Sequence, residues 1–143
     1  MRVAQILKAK GHKVVTTRLD ATIAELVRTL TLERIGAAVV TGDEGTVVGI
    51  ISERDIVHGL SERGADLLNM RVEELMTRTV VTCTPEQSLE DIMREMTSSR
   101  IRHLPVLQDG EMVGIVSIGD VVKNRLEELE KESGALRDYI TRS

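Results

Sequence analysis

Two short segments combine residue types that could bind a phosphorylated sugar. They are residues 49–55 (Gly-Ile-Ile-Ser-Glu-Arg-Asp) and residues 114–120 (Gly-Ile-Val-Ser-Ile-Gly-Asp). In each, an apolar run predicts the end of a buried strand, and the serine and aspartate that follow predict the first turn of a helix. A helix start offers free N–H groups and a hydroxyl to a phosphate. The aspartate could accept hydrogen bonds from both hydroxyls of a ribose.

Serine and aspartate at a helix start also act as ordinary caps. For one isolated segment, the cap is the favoured interpretation. Here the same Ser-x-x-Asp pattern occurs twice, each time after a matching apolar run. The repetition favours a binding role for Ser52 and Asp55, and for Ser117 and Asp120.

Other reactive side chains do not form a recognisable site. His12, His58 and His103 lack the spacing of metal ligands on one helix, so we expect no metal. Cys83 follows a β-branched run with no base beside it in sequence, which favours a buried, inert thiol. The sequence contains no nucleophile elbow, phosphate-binding P-loop or dinucleotide-binding glycine triplet. We therefore expect no enzymatic activity.

The elements that position the two segments form an internal repeat with a spacing of about 65 residues. Residues 13–16 match residues 79–82, residues 48–52 match 113–117, and Asp55 matches Asp120. The lead segments also correspond, residues 3–7 with 72–76. The only offsets are one residue in the turn at 41–45 and a few around residues 10–12.

Each repeat predicts the order strand, helix, strand, strand, helix. The first strand is expected in the short β-branched run at residues 14–17, and in the matching residues 79–82 of the second repeat. The first helix has apolar residues at Ile23, Leu26, Val27 and Leu30, and we expect Asp20 to cap it. In the second repeat, Thr84 is the expected cap, with Pro85 at the first helical position and Gln87 three residues after the cap.

The predicted hairpins have strands at 37–40 and 47–51, and at 104–107 and 112–116. Their strands are apolar on both faces, so we expect the sheets to be covered by helices. A final helix should run from near Asp120 toward Ile140, with apolar residues close to a four-three spacing. That helix either packs on its own core or forms part of a dimer seam.

Composition argues against several classes of function. With 41% hydrophobic residues, the 143-residue chain can bury a core, and no apolar run is long enough to span a membrane. The net charge of −4 and the single aromatic residue, Tyr139, argue against nucleic-acid binding. One cysteine excludes an intramolecular disulfide and fits a reducing, cytoplasmic location.

Residues 100–106 (Arg-Ile-Arg-His-Leu-Pro-Val), followed by residues 114–120, resemble the CBS domain, named after cystathionine β-synthase. The chain is similar to the tandem pair of such motifs called a Bateman module, over almost its whole length before about Arg125. The resemblance implies an α/β fold of two pseudo-symmetric β-α-β-β-α motifs packed through their sheets, plus a C-terminal helix. We expect the motifs at residues 1–68 and 69–125, and a helical tail at 126–143.

The resemblance also implies a ligand and a set of residues that hold it. In Bateman modules, adenosine-containing ligands such as AMP, ADP, ATP, NAD or S-adenosylmethionine bind in two clefts between the motifs. By that resemblance, Asp55 and Asp120 hold the ribose. Ser52 and Ser117 approach the phosphate, and Arg102 and His103 add contacts to it. The adenine rests on Ile35, Gly36 and Ala37 in one cleft and on Thr79 and Ile101 in the other. Arg54 and Gly119 complete the expected site. Arg54 is either a partner for a second phosphate or a solvated surface residue.

The two halves differ where ligand contacts are expected. Arg102-His103 in the second half replaces Gly36-Ala37, and Ile118-Gly119 replaces Glu53-Arg54. Pro105 also stands where the first half has Val39. We therefore expect two non-equivalent sites.

Four functions remain as hypotheses, of which nucleic-acid binding has the weakest support. The first is a stand-alone regulatory module that senses an adenine nucleotide, AMP foremost with NAD or ATP as alternatives, and acts as a homodimer on an unidentified partner protein. The second is a ligand-free structural or interaction dimer. The third, an enzyme acting on phosphate, is disfavoured because no carboxylate cluster for a catalytic metal is visible.

Overall fold

The structure is a computed structural model that describes residues 1–142. In chain order the helices and strands are α1 (Val3–Lys10), β1 (Thr16–Arg18), α2 (Ile23–Glu33), β2 (Ala37–Thr41), β3 (Val47–Ser52), α3 (Glu53–Arg63), α4 (Val72–Leu75), α5 (Leu89–Ser99), β4 (His103–Gln108), β5 (Glu111–Ser117) and α6 (Ile118–Arg142). Single 3₁₀ segments occur at Asp43–Gly45 and Gly64–Asn69. The mixed α/β architecture expected from the sequence is confirmed.

The chain divides into two compact units that do not follow the order of the sequence. The central unit contains residues 14–81, and the terminal unit contains residues 1–13 together with residues from 82 onward. Each unit therefore contains the first helix, the hairpin and the second helix of one repeat. It also contains the short lead helix that precedes the other repeat in the sequence. The division at residues 68 and 69 remains a prediction about the repeats.

The central unit contains a three-stranded sheet in the order β1-β2-β3, with β1 parallel and β3 antiparallel to β2. Its core is built around the buried stripe of α2, namely Ile23, Leu26 and Leu30, against Ala38 and Val40 of β2. These α2 residues follow the helical spacing read from the sequence.

The terminal unit contains the hairpin β4–β5, and α5 buries Leu89, Ile92 and Met96. The first strand predicted for this repeat, residues 79–82, does not form. The chain instead makes a single parallel bridge between Cys83 and Val106, with the Cys83 N–H donating to the Pro105 carbonyl at 3.0 Å. In the central unit, β1 forms two residues later than predicted, at Thr16–Arg18.

Two helix starts differ from the sequence prediction. Thr22, not Asp20, caps α2, and its hydroxyl accepts the Glu25 N–H at 3.2 Å. Ser88, not Thr84, caps α5 and accepts the Asp91 N–H at 3.1 Å. Thr84 and Gln87 form a separate turn just before α5, in which Gln87 accepts the Thr84 N–H at 2.8 Å. Several Ser, Thr and Asp residues compete for each helix start, and tertiary packing selects among them.

A glycine in each hairpin lets the lead helix approach the sheet. A Cβ added at Gly49 of β3 would lie 2.7 Å from the Met76 sulfur, and one added at Gly114 of β5 would lie 2.6 Å from Leu7 Cδ2. Met76 and Leu7 end the matching lead segments. The same close contact therefore anchors α4 beside β3 and α1 beside β5.

Helix α6 belongs to the terminal unit, and its first turns are the part that is buried. Val121, in the first turn of this helix, is completely buried. From Leu129 to Thr141, every described side chain is exposed. Among the described residues, no helix is both long and apolar enough to span a membrane.

Candidate functional site

The first Ser-x-x-Asp segment lies where β3 passes into α3. The backbone N–H and the hydroxyl of Ser52 both donate to Oδ2 of Asp55, at 2.9 Å and 3.2 Å. The second oxygen, Oδ1, accepts a long hydrogen bond of 3.3 Å from the Thr77 hydroxyl. Neutral donors thus surround the Asp55 carboxylate on both oxygens.

The second Ser-x-x-Asp segment lies at the matching junction of β5 and α6. The Ser117 N–H donates to Oδ2 of Asp120 at 2.9 Å, and the Asp120 N–H donates back to the Ser117 hydroxyl at 3.2 Å. This reciprocal pair is a capping box. Both segments therefore cap their helices in the structure, as the simpler interpretation of the sequence allowed.

Lys10 is the main difference between the two sites, and sequence reasoning did not select it. Its ammonium group donates to Oδ2 of Asp120 at 2.5 Å and to the Ile115 carbonyl at 2.9 Å. Lys10 is the last residue of α1, which belongs to the terminal unit. The extra residues around positions 10–12 in the repeat were the available signal, since an insertion there lengthens the lead helix.

The pKa of Asp120 reflects this environment. Burial alone would raise it, but the hydrogen bond and charge of Lys10 and the hydrogen bonds from Ser117 outweigh burial, so the pKa lies below its usual value. The carboxylate is held in its ionised form.

The residues expected to accompany the serines come together with them. Ala37 pairs with Ser52 across β2 and β3, and the Glu53 N–H donates to the Gly36 carbonyl at 2.9 Å. In the terminal unit, His103 pairs with Ser117, and the Ile118 N–H donates to the Arg102 carbonyl at 2.8 Å. The strand pairing thus brings Gly36 and Ala37 to one site and Arg102 and His103 to the other.

Ile35 and Ile101 occupy equivalent positions after the first helix of each repeat. Each follows an arginine in the left-handed region, Arg34 with φ 55° and Arg100 with φ 54°. The Ile35 N–H donates to the Leu30 carbonyl at 3.1 Å, and the Ile101 N–H to the Met96 carbonyl at 3.0 Å. Both isoleucines are half-buried.

The other expected site residues lie on exposed parts of the units. Arg54 and Gly119 are in the first turns of α3 and α6, and both are exposed. Thr79 is exposed in the central unit, whereas Ile101 is in the terminal unit. Their shared role in adenine binding remains a prediction.

Other polar side chains do not form a second centre. Burial raises the pKa of the Cys83 thiol to about 11, so Cys83 is not a nucleophile at neutral pH. His58 faces Glu62 at 3.3 Å on α3, and a ring nitrogen of His12 bonds the Val113 carbonyl at 2.8 Å. Within residues 1–142, no group of three His, Cys, Asp or Glu side chains could hold a metal ion.

Comparison with known proteins identifies the family. The family model described as CBS domain matches twice, at residues 4–62 and 72–127, so the chain belongs to the CBS domain family as a tandem pair. A curated relative is the CBS domain-containing protein CBSX3, mitochondrial, of Arabidopsis thaliana. It is 35% identical over 146 residues, which cover 96% of this chain and 71% of the relative.

Solved structures share the fold along most of the chain. The CBS-domain containing protein ATU1752 from Agrobacterium tumefaciens has a TM-score of 0.85 and 44% identity, covering 87% of this chain and 92% of that one. The CBS domain pair of protein MJ0100, in complex with 5′-methylthioadenosine and S-adenosyl-L-methionine, has a TM-score of 0.79 and 26% identity, covering 90% and 98%. The protein PAE2072 from Pyrobaculum aerophilum, complexed with AMP, has a TM-score of 0.74 and 28% identity, covering 84% and 89%.

Proposed function

We propose that the chain is a regulatory module that binds an adenine nucleotide and passes the signal to a partner protein. AMP is the foremost candidate ligand, with ATP, ADP or NAD as alternatives. The observation that carries the proposal is the paired Ser-x-x-Asp start of α3 and α6, in a chain whose relatives include one solved with AMP and one solved with two adenosine compounds.

Each aspartate keeps acceptor capacity for a ribose hydroxyl. The caps use Oδ2 of both residues, and Oδ1 of Asp55 accepts a long bond of 3.3 Å from Thr77. The bonds from Lys10 and Ser117 to the Asp120 carboxylate likewise fall on Oδ2. A ribose hydroxyl can therefore bond either carboxylate without breaking the cap. The backbone N–H groups of the helix start remain suited to a phosphate.

The proposed output is a change of state rather than a reaction. A module of this kind responds only if its nucleotide binds one conformation better than another. The buried Cys83 thiol, with its pKa of about 11, offers no nucleophile for covalent catalysis. We include a cytoplasmic location in the proposal, because that thiol is free and buried in a chain without other cysteines.

Calorimetry with AMP, ADP, ATP and NAD tests the proposal directly. We expect at least one affinity in the micromolar range. Replacing Asp55→Ala or Asp120→Ala should each weaken binding at one site by about ten- to a hundredfold, the typical value of hydrogen bonds to a charged group. Asp91→Ala is the matched control, because Asp91 also lies in the first turn of a helix but belongs to neither of the segments at residues 49–55 and 114–120.

The alternative function is a ligand-free interaction dimer, in which Ser-x-x-Asp serves only as a cap. The hydrogen bonds that both aspartates make within their own helix starts favour it. Under this alternative, none of the four nucleotides produces heat or raises the melting temperature. Asp55→Ala and Asp120→Ala would then lower the melting temperature without any effect on binding. That result would exclude the nucleotide sensor.

We further propose that the module is a homodimer in which α6 pairs with a second copy. Five of its exposed apolar side chains follow heptad spacing, which is interrupted at Ser133. They are Val122, Leu126, Leu129, Leu136 and Ile140. Leu136 and Ile140 are 61% and 62% exposed. Most helical stability in proteins comes from packing of an apolar face, so a second helix against this face would stabilise the segment. Val57 and Leu60 of α3 form another exposed apolar pair.

Light scattering tests the dimer. The combined change Leu129→Glu and Leu136→Glu should convert the protein to a monomer, because it places charges on the apolar face of α6. Glu127→Gln, on an adjacent exposed position, should leave the mass unchanged. A wild-type protein that is monomeric at tens of micromolar would contradict the dimer without affecting the nucleotide proposal.

A further inference from the structure

Lys10 replaces two donors that Thr77 provides in the other unit. In the central unit, the Thr77 N–H donates to the Ile50 carbonyl at 2.8 Å, and its hydroxyl contacts Oδ1 of Asp55 at 3.3 Å. In the terminal unit, the Lys10 ammonium bonds the carbonyl of Ile115, the residue that matches Ile50 in the repeat. The same ammonium also bonds Asp120, the residue that matches Asp55.

The difference arises from the length of the lead helix. After α4, which ends at Leu75, the chain is extended and Thr77 pairs with β3 through its backbone. Helix α1 instead continues for three residues beyond Leu7, the residue that matches Met76, and ends at Lys10. Its last turn therefore presents a long cationic side chain where α4 is followed by a short hydroxyl side chain.

Because Lys10 takes the place of Thr77, the charge around the proposed ribose-binding aspartate differs between the two sites. At the central site, Glu53, Arg54 and Asp55 carry one net negative charge. At the terminal site, the charges of Lys10 and Asp120 cancel, and Arg102 adds a positive charge at the adjoining strand. The Lys10 and Asp120 side chains are 33% and 24% exposed. The Lys10 charge is therefore only partly screened by solvent.

The Lys10 ammonium has a donor to spare. It carries three N–H groups, and the Ile115 carbonyl and Asp120 occupy two of them. Lys10 and the Ser117 N–H both donate to Oδ2 of Asp120, so the ammonium lies close to the helix start that is suited to phosphate.

We propose that Lys10 makes the terminal site selective for adenosine ligands that carry a phosphate, whereas Thr77 leaves the central site open to adenosine ligands without one. The proposal rests on the nucleotide-binding function proposed above and adds the ligand class for each site. A phosphate gains a charge-assisted hydrogen bond from Lys10, which an uncharged nucleoside cannot make. Lys10 is thus a specificity-determining residue.

The test uses the Asp55→Ala protein, in which the terminal site is the one left to report binding, with AMP and adenosine as probes. Adding Lys10→Met removes the charge but keeps an unbranched apolar stem. We expect AMP affinity to fall about tenfold, the lower end of the range for hydrogen bonds to charged groups. Adenosine affinity should change less than twofold. Raised salt should reduce the difference in AMP affinity between the Asp55→Ala protein and the protein that also carries Lys10→Met.

Lys8→Met is the matched control, because Lys8 lies on the same helix and is exposed. It should alter neither affinity, and Lys10→Arg should keep the preference for AMP. Conversely, Thr77→Lys in the Asp120→Ala protein should create a preference for AMP at the central site.

Equal losses of AMP and adenosine on Lys10→Met would overturn the proposal, since Lys10 would then act only on the structure of the site. If Lys10→Met left the preference for AMP over adenosine unchanged, the proposal would also be overturned, but the nucleotide-binding function would stand. If the Asp55→Ala and Asp120→Ala proteins and the wild type bind neither probe, both proposals fail together.

Discussion

The central and terminal units build the same junction of strand and helix, yet they surround its aspartate differently. Both place a serine N–H 2.9 Å from Oδ2 of the aspartate, and both anchor the lead helix against a strand glycine. In the central unit, the further donor is the Thr77 hydroxyl, whereas in the terminal unit it is the Lys10 ammonium. The duplicated backbone geometry is therefore conserved between the units, while the charge at the site depends on a segment outside the Ser-x-x-Asp pattern.

The largest expected effect tests whether the two lead helices are anchored alike. An added Cβ at Gly49 would meet both the Met76 sulfur at 2.7 Å and the Thr77 carbonyl oxygen at 3.0 Å, whereas at Gly114 it would meet Leu7 side-chain atoms. A backbone oxygen moves less readily than a side-chain tip. Overpacking typically costs about 1–3 kcal/mol, so we expect the upper end for Gly49→Ala and the lower end for Gly114→Ala in urea unfolding.

Gly134→Ala is the control for this comparison. No atom lies within 4 Å of a Cβ added at Gly134, which is in α6. Alanine should stabilise that helix by about 0.5–1 kcal/mol. A greater loss for Gly114→Ala than for Gly49→Ala would show that the two lead helices are anchored differently from the description above.

Two substitutions with an intermediate effect test whether the caps of α2 and α5 stabilise the two units equally. Thr22 and Ser88 cap α2 and α5 with hydroxyl contacts of 3.2 Å and 3.1 Å. Thr22→Ala and Ser88→Ala should each cost about 1 kcal/mol of unfolding free energy, the usual value of a cap. Thr97→Ala, on the exposed end of α5, should cost little. A large difference between the two cap variants would mean that the units differ beyond their sites.

The smallest effect concerns pH and the terminal site alone. The pKa of Asp120 is lowered in the folded protein, so its contribution to stability is present above the unfolded pKa and is lost as pH falls through the folded pKa. At pH 7, Lys10→Met should cost at most about 0.5–1 kcal/mol, because both side chains are partly exposed. This loss should shrink toward pH 3 in urea unfolding. Lys8→Met should show no such trend, and a loss that does not depend on pH would contradict the ion pair.

Local patterns in the sequence were sufficient to predict the repeat, the two hairpins and the apolar stripes of α2 and α5. These features depend on residue spacing within a few turns or strand residues, which packing rarely reverses. The reciprocal bonds of Ser117 and Asp120 were also readable, because a capping box joins residues only three positions apart.

Long-range packing decided the features that the sequence left open or gave wrongly. It selected Thr22 and Ser88 as caps, reduced the strand expected at residues 79–82 to one bridge at Cys83, and buried Val121. Each of these outcomes depends on which neighbours cover a segment, and composition does not record those neighbours.

The sequence by itself determined that this protein has two related sites, because each Ser-x-x-Asp segment and its strand are contiguous in the chain. Only the tertiary structure showed that Lys10 contributes to the difference in charge between the two sites. Lys10 and Asp120 are 110 positions apart, and the ammonium reaches the carboxylate because α1 packs in the same unit as β5 and α6. Contacts over such a separation depend on the packing of whole elements, so no local pattern around either residue could reveal them.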